Sequence, residues 1–348
     1  MHSTSARKHS VPWDDSYPIS VIGGSGSEVF RAVSTQGKRS VAVRLWCAGS
    51  SEQLQSAMAR VEHARHVSHK NLAVVEACEP RGNAALWIVS EYVPGPTLDV
   101  WTASGRLLPL PAAIDLARNV SLAVYAAHRE GLSHHAIAPR NVVVTPRARE
   151  IEPWLDAKLL DLGIASWMRP DKPSLDSAHF VAPETLSVML SDKDASDTID
   201  ARANVYSCGA LLYFLATGSQ PFRSTTLHDL SNAQRAGKLW APQAHNPEIS
   251  SALQTVILSA LALDPAHRYA NTGELASALA AAAWRDGYAD SYEPSVVEPL
   301  PLVARHGGDR SSRVQPIPSI RDEAREVSRR AAKQRLLDAT PHLRRVPR

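Results

Sequence analysis

Apolar positions alternate with polar ones through the first quarter of the chain and recur at helical spacing in the remainder. Three short β-rich runs separated by glycine-containing turns lie between Tyr17 and Trp46, and two more predicted strands cover 72–78 and 86–93. From Pro111 to His128 the apolar residues recur every three or four positions, which predicts a long buried helix. Strands followed by helices indicate an α+β fold. Further helices are predicted at 227–236, 250–263 and 272–283.

The stretch LSHHAIAPRNVVV, from Leu132 to Val144, resembles the catalytic loop of the bacterial serine/threonine protein kinases. In that family the loop carries a His, an Arg and a catalytic Asp, and an Asn follows further on. The resemblance places the family's His at His134 and its Asn at Asn141, and it matches the metal-binding Asp-Phe-Gly to residues 161–163. It therefore implies that Asn141 and Asp161 are the magnesium ligands.

Two positions of the same loop lack the family's reactive groups. The catalytic Asp, which accepts the proton of the substrate hydroxyl, falls on Ala136, and the Lys two residues later falls on Ala138. A methyl group can neither accept a proton nor hold a phosphate. The resemblance thus implies a kinase fold that has lost part of its chemistry.

The strands that precede this loop match the family's nucleotide-binding elements less closely. Only one glycine of the glycine-rich loop is in register, and the third strand has Arg44 where the family has the phosphate-binding Lys. A single glycine-rich turn is weak support for a nucleotide site, because ordinary hairpins have the same composition. The nucleotide-binding positions that the resemblance implies are Gly24, Val29, Ala42, Arg44, Glu91 and Val93.

The lysine's usual partner is also replaced. A Glu on the following helix should lie near position 60, where this chain has Arg60, and Glu62 is the alternative partner if the helix is shifted by two residues. Arg keeps the charge of Lys but brings a larger planar head group. We expect ATP and Mg²⁺ to bind weakly or not at all, with Asp161 either holding a metal or pairing with Arg44 across the cleft at roughly 3 Å.

Residues of the family's framework are retained more fully than its catalytic groups. The resemblance implies a buried ion pair between Glu184, in an Ala-Pro-Glu motif, and Arg268. It also places the glycine of the family's central helix at Gly209. Asn204 stands where the family has an Asp that braces the catalytic loop. Because Asn carries no charge, a weaker brace is expected.

The resemblance covers about 16–284 and implies a bilobal protein-kinase-like fold. A small lobe of antiparallel strands with one main helix is expected at 16–93, and a larger, mainly helical lobe at 94–284. Residues 1–15 are polar and are expected to form a flexible leader. The part from 285 to 348 is predicted to be a Pro-rich linker followed by a basic helical tail.

The net charge of +3 is unevenly distributed. Residues 305–348 hold 12 Lys or Arg and 5 Asp or Glu, so this segment carries +7 and the rest of the chain −4. A cap at Ser319 and good helix formers predict a helix to Leu337. We expect this tail either to remain solvated or to contact an acidic protein or another polyanion, without specific recognition of nucleic acid.

The three cysteines, Cys47, Cys78 and Cys208, lie in apolar stretches and are expected to be buried and reduced, which is typical of a cytoplasmic protein. No apolar run approaches the roughly 18 residues of a transmembrane helix. The sequence therefore predicts no transmembrane segment.

Two functional hypotheses follow from these residues. The favoured one is a pseudokinase that acts as a scaffold or regulator and binds a protein partner. The alternative is an active but atypical ATP-dependent protein kinase or nucleotidyl transferase, because phosphoryl transfer depends mainly on positioning and charge. Four replaced positions, Arg44, Arg60, Ala136 and Ala138, favour the first hypothesis.

Overall fold

The computed structural model describes most of the region from Ser20 to Tyr288. Gly24, the leader and the tail lie outside the described residues. The described ranges are 20–23, 29–33, 39–82, 85–103, 105, 107–134, 136–146, 155–163, 173–191 and 200–288.

The small lobe is a five-stranded antiparallel sheet with the strand order β1-β2-β3-β5-β4. Its alternating strands bury one set of side chains in a compact cluster, in which the rings of Phe30 and Trp87 meet edge to face at 6.4 Å. β-branched and aromatic residues favour these strands. The strands are β1 (Ser20–Gly23), β2 (Val29–Val33), β3 (Ser40–Cys47), β4 (Val75–Arg81) and β5 (Ala85–Glu91).

One helix, α1 (Ser51–Ala64), joins β3 to β4. It begins at Ser50, whose hydroxyl accepts a hydrogen bond from the backbone N–H of Gln53. Its buried residues recur at spacings of three and four, so one face of the helix packs on the sheet. These residues are Leu54, Ala57, Val61 and Ala64.

The large lobe is mainly helical and also contains a two-stranded antiparallel ribbon of β6 (Val142–Pro146) and β7 (Leu155–Leu159). Its helices are α2 (Leu98–Ala103), α3 (Leu110–Arg129), α4 (Leu175–Ala178), α5 (Pro183–Leu190), α6 (Ala201–Thr217), α7 (Leu227–Arg235), α8 (Pro242–His245), α9 (Ser251–Ala260) and α10 (Thr272–Arg285).

Two buried helices, α3 and α6, form the centre of this lobe. The loop of the candidate site follows α3, and α6 packs beneath it through Asn204. Helix α6 begins at Asp200, whose carboxylate accepts from two backbone N–H groups, and ends at Gly218, where φ is 68°. Only glycine adopts this left-handed conformation without strain. Gly209, in the middle of α6, lies against α9, because a Cβ built on it would be 2.6 Å from the Cβ of Ala260.

The predicted α+β class, with a small antiparallel lobe and a larger helical lobe, is confirmed by this arrangement. Among the described residues, no helix is both long and apolar enough to cross a membrane. The expectation of three buried thiols was wrong for Cys47, which is exposed at the end of β3, whereas Cys78 is half-buried and Cys208 is buried. The end of a strand lies at the lobe surface, so an apolar neighbourhood in the sequence did not ensure burial there.

Candidate functional site

The loop before β6 is fixed by hydrogen bonds through His134, which is buried. Its Nδ1 accepts from the backbone N–H of Ala136 at 3.2 Å, and its Nε2 is 3.0 Å from the carbonyl oxygen of Leu160. Since a carbonyl only accepts, Nε2 carries the proton and the ring is neutral. Burial lowers the pKa of His134 to about 4. The ring is therefore a structural link between this loop and the turn that contains Asp161.

Asn204 of α6 holds the same loop through hydrogen bonds of its side-chain amide. Its Oδ1 accepts from the backbone N–H of His134 at 3.0 Å, and its Nδ2 donates to the carbonyl oxygen of His134 at 2.7 Å. The same Oδ1 lies 2.8 Å from Nε2 of His128, whose pKa is lowered by burial. A weaker brace was expected from the lost charge, but the amide binds both backbone groups of one residue, which a carboxylate cannot do.

Asn141 is oriented by the backbone at the position of the missing base. Its Nδ2 donates to the carbonyl oxygen of Ala136 at 2.7 Å, so Oδ1 is the atom left to ligate a metal. Ala138 is buried, at 5% exposure, and packs in the main core. These two alanines supply no proton acceptor and no cation to the loop.

Arg44 and Asp161 meet across the cleft between the lobes. Nη2 of Arg44, on β3, is 2.5 Å from Oδ2 of Asp161, in the turn that follows β7. The side chains are 11% and 19% exposed. A charge-assisted hydrogen bond this well shielded from water is stronger than a surface ion pair. Of the two roles expected for Asp161, the structure shows the pairing with Arg44, which engages a carboxylate assigned to metal binding.

The backbone of the turn is unusual at the same place. Asp161 and Leu162 have φ of 70° and 34°, a left-handed region that residues other than glycine seldom occupy. Leu162 is nonetheless buried, at 4% exposure, in the main hydrophobic core. Core packing of Leu162 together with the ion pair of Asp161 compensates for the strain.

Neither candidate partner from α1 takes the place of the missing Glu. The carboxylate of Glu62 is bonded to Arg65 at 2.6 Å and to Sγ of Cys78 at 3.3 Å, on the side of the helix next to β4. Arg60 lies on the exposed face of α1. Glu62 therefore does not fill the role of the family's Glu in this structure, because its carboxylate is bonded to Arg65 and Cys78.

The positions assigned to the adenine side lie on neighbouring strands. Val29 of β2 is paired in register with Arg44, and Ala42 of β3 with Ser90. Glu91, at the end of β5, forms an ion pair with Lys158 of β7, whose Nζ is 2.5 and 2.7 Å from the two carboxylate oxygens. Val93 follows in the half-buried connection to the large lobe.

The ion pair between Glu184 and Arg268 lies within the large lobe. The guanidinium of Arg268 binds Glu184 through two hydrogen bonds, of 2.7 and 2.9 Å. The arginine side chain is fully buried, and its guanidinium lies 5.0 Å from the ring centre of Tyr206. This contact joins the start of α5 to the loop after α9, so it organises the lobe and not the cleft.

Two contacts of the site were not predicted. Lys158 and Glu91 are 67 residues apart, and Arg140, whose Nη2 is 2.5 Å from Oγ of Ser174, is 34 residues from its partner. Charged residues at such separations carry no local pattern. Only the resemblance, which aligned β5 and β7 with the two lobes, could have suggested that Glu91 and Lys158 lie close together.

The residues present do not fit a magnesium–nucleotide complex as they are arranged. Within the described residues, no group of three His, Cys, Asp or Glu side chains converges as a metal site. Asn141 and Asp161 remain as oxygen donors, but Asp161 is bonded to Arg44. Mg²⁺ requires near-octahedral oxygen coordination, and the guanidinium at Oδ2 of Asp161 would place a second cation beside any metal on this carboxylate, so the ion pair opposes Mg²⁺ binding.

A sequence model described as the protein kinase domain matches residues 19–284. This chain belongs to the protein kinase family. The matched residues run from the start of the small lobe to the end of α10, and so include both lobes and the cleft.

Bacterial kinases are among the similar proteins. A probable serine/threonine-protein kinase of Streptomyces coelicolor is 28% identical over 262 residues, which cover 73% of this chain and 38% of that protein. The serine/threonine-protein kinase PknB of Mycobacterium tuberculosis is 27% identical over 274 residues, which cover 76% of this chain and 42% of that protein. The chain is thus a serine/threonine kinase homologue that spans about two fifths of the length of these relatives.

A solved structure supports the fold independently. The crystal structure of Rad53 residues 1–466 in complex with AMP-PNP superposes with a TM-score of 0.59 and 21% identity, covering 74% of this chain and 63% of that one. At this identity the likeness concerns the fold of the kinase family alone.

Proposed function

We propose that this protein is a pseudokinase: a kinase-family domain that binds a protein partner as a scaffold or regulator and does not transfer phosphate. The observation that carries the proposal is the ion pair between Arg44 and Asp161. It occupies the carboxylate that would hold Mg²⁺, next to a loop in which the base position is Ala136. We also propose that the protein acts in the cytoplasm and that the basic tail contributes to binding an acidic surface.

The ion pair competes with nucleotide for the same groups. A bound metal would have to displace a guanidinium 2.5 Å from Oδ2 of Asp161, or share the carboxylate with it, in a cleft where both side chains are less than one fifth exposed. Opening the pair separates two opposite charges that are both mostly buried, which is costly. ATP must offset this cost from its own contacts, so its affinity falls by the same amount.

A second candidate function is an active but atypical ATP-dependent protein kinase or nucleotidyl transferase. One observation favours it, since Nδ2 of Asn141 is held by Ala136 and its Oδ1 is left for a metal. The AMP-PNP bound to the Rad53 kinase also makes ATP the ligand to test. If Arg44 released Asp161, two oxygen donors for a metal would be available.

Thermal unfolding with ATP and Mg²⁺ distinguishes weak from tight binding. With both at about 1 mM we expect the melting temperature to rise by no more than about 1 °C, because a Kd near 1 mM stabilises by only about 0.4 kcal/mol. Submicromolar affinity would raise it by about 10 °C and contradict the proposal. Arg44→Lys, which removes the planar guanidinium from Asp161, should increase the rise in melting temperature caused by ATP and Mg²⁺. Arg235→Lys, at the exposed end of α7, should not.

Transfer of radiolabelled γ-phosphate tests the chemistry directly. We expect no incorporation into generic substrates or into the protein itself, and no change in Asp161→Ala. Incorporation that disappears in Asp161→Ala would establish the second candidate function. Ala136→Asp alone should not create activity, because Arg44 and Arg60 still leave the phosphates without their lysine–glutamate clamp.

A further inference from the structure

A patch of aromatic and basic side chains lies around the loop that joins α7 to α8. Trp240, in this loop, is 46% exposed. The guanidinium of Arg223 lies 4.8 Å from the centre of its ring, which is a cation–π contact, and the ring of His245 is 5.8 Å away. Lys238, two residues before Trp240, is exposed as well. These four residues are called the aromatic patch below.

The buried core holds the aromatic patch in place. Tyr213 of α6 is fully buried, and its hydroxyl donates to the carbonyl oxygen of Trp240 at 3.1 Å. The rings of Tyr213 and His245 meet edge to face at 6.2 Å. Pro242, the first residue of α8, is buried too. The exposed tryptophan is therefore positioned before any ligand binds, which lowers the entropic cost of binding.

The aromatic patch has binding groups that no described residue occupies. Within the described ranges, Arg223 and Lys238 form no ion pair, and the indole N–H of Trp240 makes no hydrogen bond. Asp229 of α7 accepts from the hydroxyl of Thr226 at 2.8 Å, so this carboxylate caps its own helix. A basic surface with a half-exposed tryptophan suits an extended segment with prolines and carboxylates, because proline rings pack on aromatic rings and carboxylates pair with cations.

The chain leaves the described part of the large lobe close to this patch. Just beyond α10, the carboxylate of Asp286 accepts from the hydroxyl of Ser250 at 2.7 Å. Ser250 is five residues from His245, so the two residues are at most about 18 Å apart. The chain that continues after Tyr288 therefore starts within reach of the aromatic patch.

The next 16 residues, 289–304, have the composition that such a surface would bind. They include Asp290, Glu293 and Glu298 but no Lys or Arg, so their charge is −3, and three of them are prolines. Proline favours the polyproline II conformation, in which a segment of this length spans about 50 Å. The 305–348 segment that follows carries +7 and is repelled by a basic surface. Residues 289–304 are called the acidic arm below.

We propose that the aromatic patch is the docking site of the acidic arm, which binds there in an extended conformation. Prolines of the arm pack on Trp240, and its carboxylates pair with Arg223 and Lys238. A short tether gives an effective concentration in the millimolar range, so an arm of modest intrinsic affinity is mostly docked. Docking fixes the start of the basic tail beside α7 and α8. The proposal goes beyond the proposed function, because it holds whether or not the domain transfers phosphate.

A fluorescent peptide of residues 289–304 tests the proposal on the full chain, with anisotropy as the readout. The arm-variant chain combines Glu293→Gln, Glu298→Gln, Pro299→Ala and Pro301→Ala. We expect this chain to bind the peptide at least about tenfold more tightly than the natural chain, whose own arm competes for the patch.

Changes in the patch should weaken this binding. In the arm-variant chain, Trp240→Ala should lower peptide affinity by about tenfold, because a central tryptophan carries much of the binding energy of such a contact. Arg223→Gln together with Lys238→Gln should lower it by about three- to tenfold, since each exposed ion pair contributes a few-fold. This double variant keeps the tryptophan and gives the same test if Trp240→Ala does not fold. A peptide of the same composition in scrambled order should bind at least about fivefold more weakly, because its prolines no longer face the ring.

Two control variants are matched to these changes. Trp284→Ala removes another tryptophan, 71% exposed on α10, and Lys70→Gln removes an exposed cation of the small lobe. Both should leave peptide affinity unchanged. Equal affinity for the natural and arm-variant chains, insensitivity to Trp240→Ala, equal binding of the scrambled peptide, or no binding at all would each overturn the proposal. A natural chain that sediments as a dimer, with an arm-variant chain that sediments as a monomer, would assign the arm to a second copy and overturn docking within one chain.

Discussion

The guanidinium of Arg268 uses all five of its N–H groups. Besides the two bonds to Glu184, it donates to the carbonyl oxygens of Ala262, Arg202 and Leu263 at 2.7, 3.2 and 3.0 Å. A buried arginine is tolerated when every donor has an acceptor and the charge has a counter-ion. The side chain thus fixes three segments of the large lobe relative to one another.

Glu184→Ala should therefore destabilise the protein by about 3 kcal/mol, because it leaves a buried cation without its counter-ion. The measurement is the free energy of unfolding in urea. As a control, Arg65→Ala breaks an exposed pair at the end of α1, with side chains 40% and 49% exposed, and should cost no more than about 0.5 kcal/mol. Similar losses in the two variants would show that the buried pair has no special role.

Buried histidines make stability depend on pH. Burial lowers the pKa of His134 to about 4, so between pH 6.5 and 4 the unfolded chain binds a proton that the folded chain does not. Stability is then complete above pH 6.5 and falls as the pH decreases toward 4, by about 2–3 kcal/mol at pH 4.5 from this residue. The pKa of His128 is also lowered by burial, and it adds in the same direction.

His134→Gln should flatten this pH dependence, measured as the difference in unfolding free energy between pH 7 and 4.5. Its absolute stability is expected to fall at both values, so the slope is the relevant readout. His267→Gln is the control, since that side chain is 78% exposed and should leave the slope unchanged. An unchanged slope in His134→Gln would mean that the ring is not kept neutral by the fold.

At the scale of single residues, the sequence predicted which residues occupy the motif positions better than it predicted which groups those residues bind. Ala136, Ala138 and Arg44 could be assigned because each falls inside an ordered motif. The three hydrogen bonds of Asn204 could not be predicted, since the loss of a charge does not show which groups the amide oxygen and nitrogen will bind. Its role depends on two backbone groups of His134, which the fold brings to α6 from 70 residues away.

At the scale of elements, helices were predicted from the spacing of apolar residues, whereas local chemistry sets where they end. The helix predicted at 111–128 is observed as Leu110–Arg129. The one predicted at 250–263 ends at Ala260, because Asp264 and Pro265 start a new turn in which the Asp264 carboxylate accepts from the N–H of Ala266. Apolar periodicity continued past the point where backbone hydrogen bonding changed.

The contact between α6 and α9 depends on a glycine without side-chain volume. Gly209→Ala gains helix propensity of about 1 kcal/mol, but its Cβ would meet the Cβ of Ala260 at 2.6 Å. We expect a net loss of about 1–3 kcal/mol in unfolding free energy, since a packed helix pair must separate. The double variant Gly209→Ala, Ala260→Gly exchanges the methyl group between helices and should recover most of this loss. A single Gly209→Ala variant as stable as the natural chain would contradict the close approach.

At the scale of the whole molecule, two ion pairs between described residues connect the lobes. Arg44 and Glu91 belong to the small lobe, and their partners Asp161 and Lys158 lie on the large one. The bilobal fold and its order of elements could be predicted, since ordered motifs extend along the chain. These links could be anticipated only in part, because they depend on how the lobes are positioned about the connection after β5.

The ion pair between Arg44 and Asp161 should couple the two lobes energetically. Arg44→Met and Asp161→Asn, alone and together, form a double-mutant cycle on the free energy of unfolding. Because both side chains are mostly buried, we expect a coupling of about 1–3 kcal/mol, with the double variant less damaged than the sum of the singles. The same cycle on Glu62 and Arg65, which lie three residues apart at the end of α1 and are more exposed, should give about 0.3 kcal/mol. Additive losses at Arg44 and Asp161 would mean that the cleft is open in solution, and the competition between this pair and nucleotide would then have no basis.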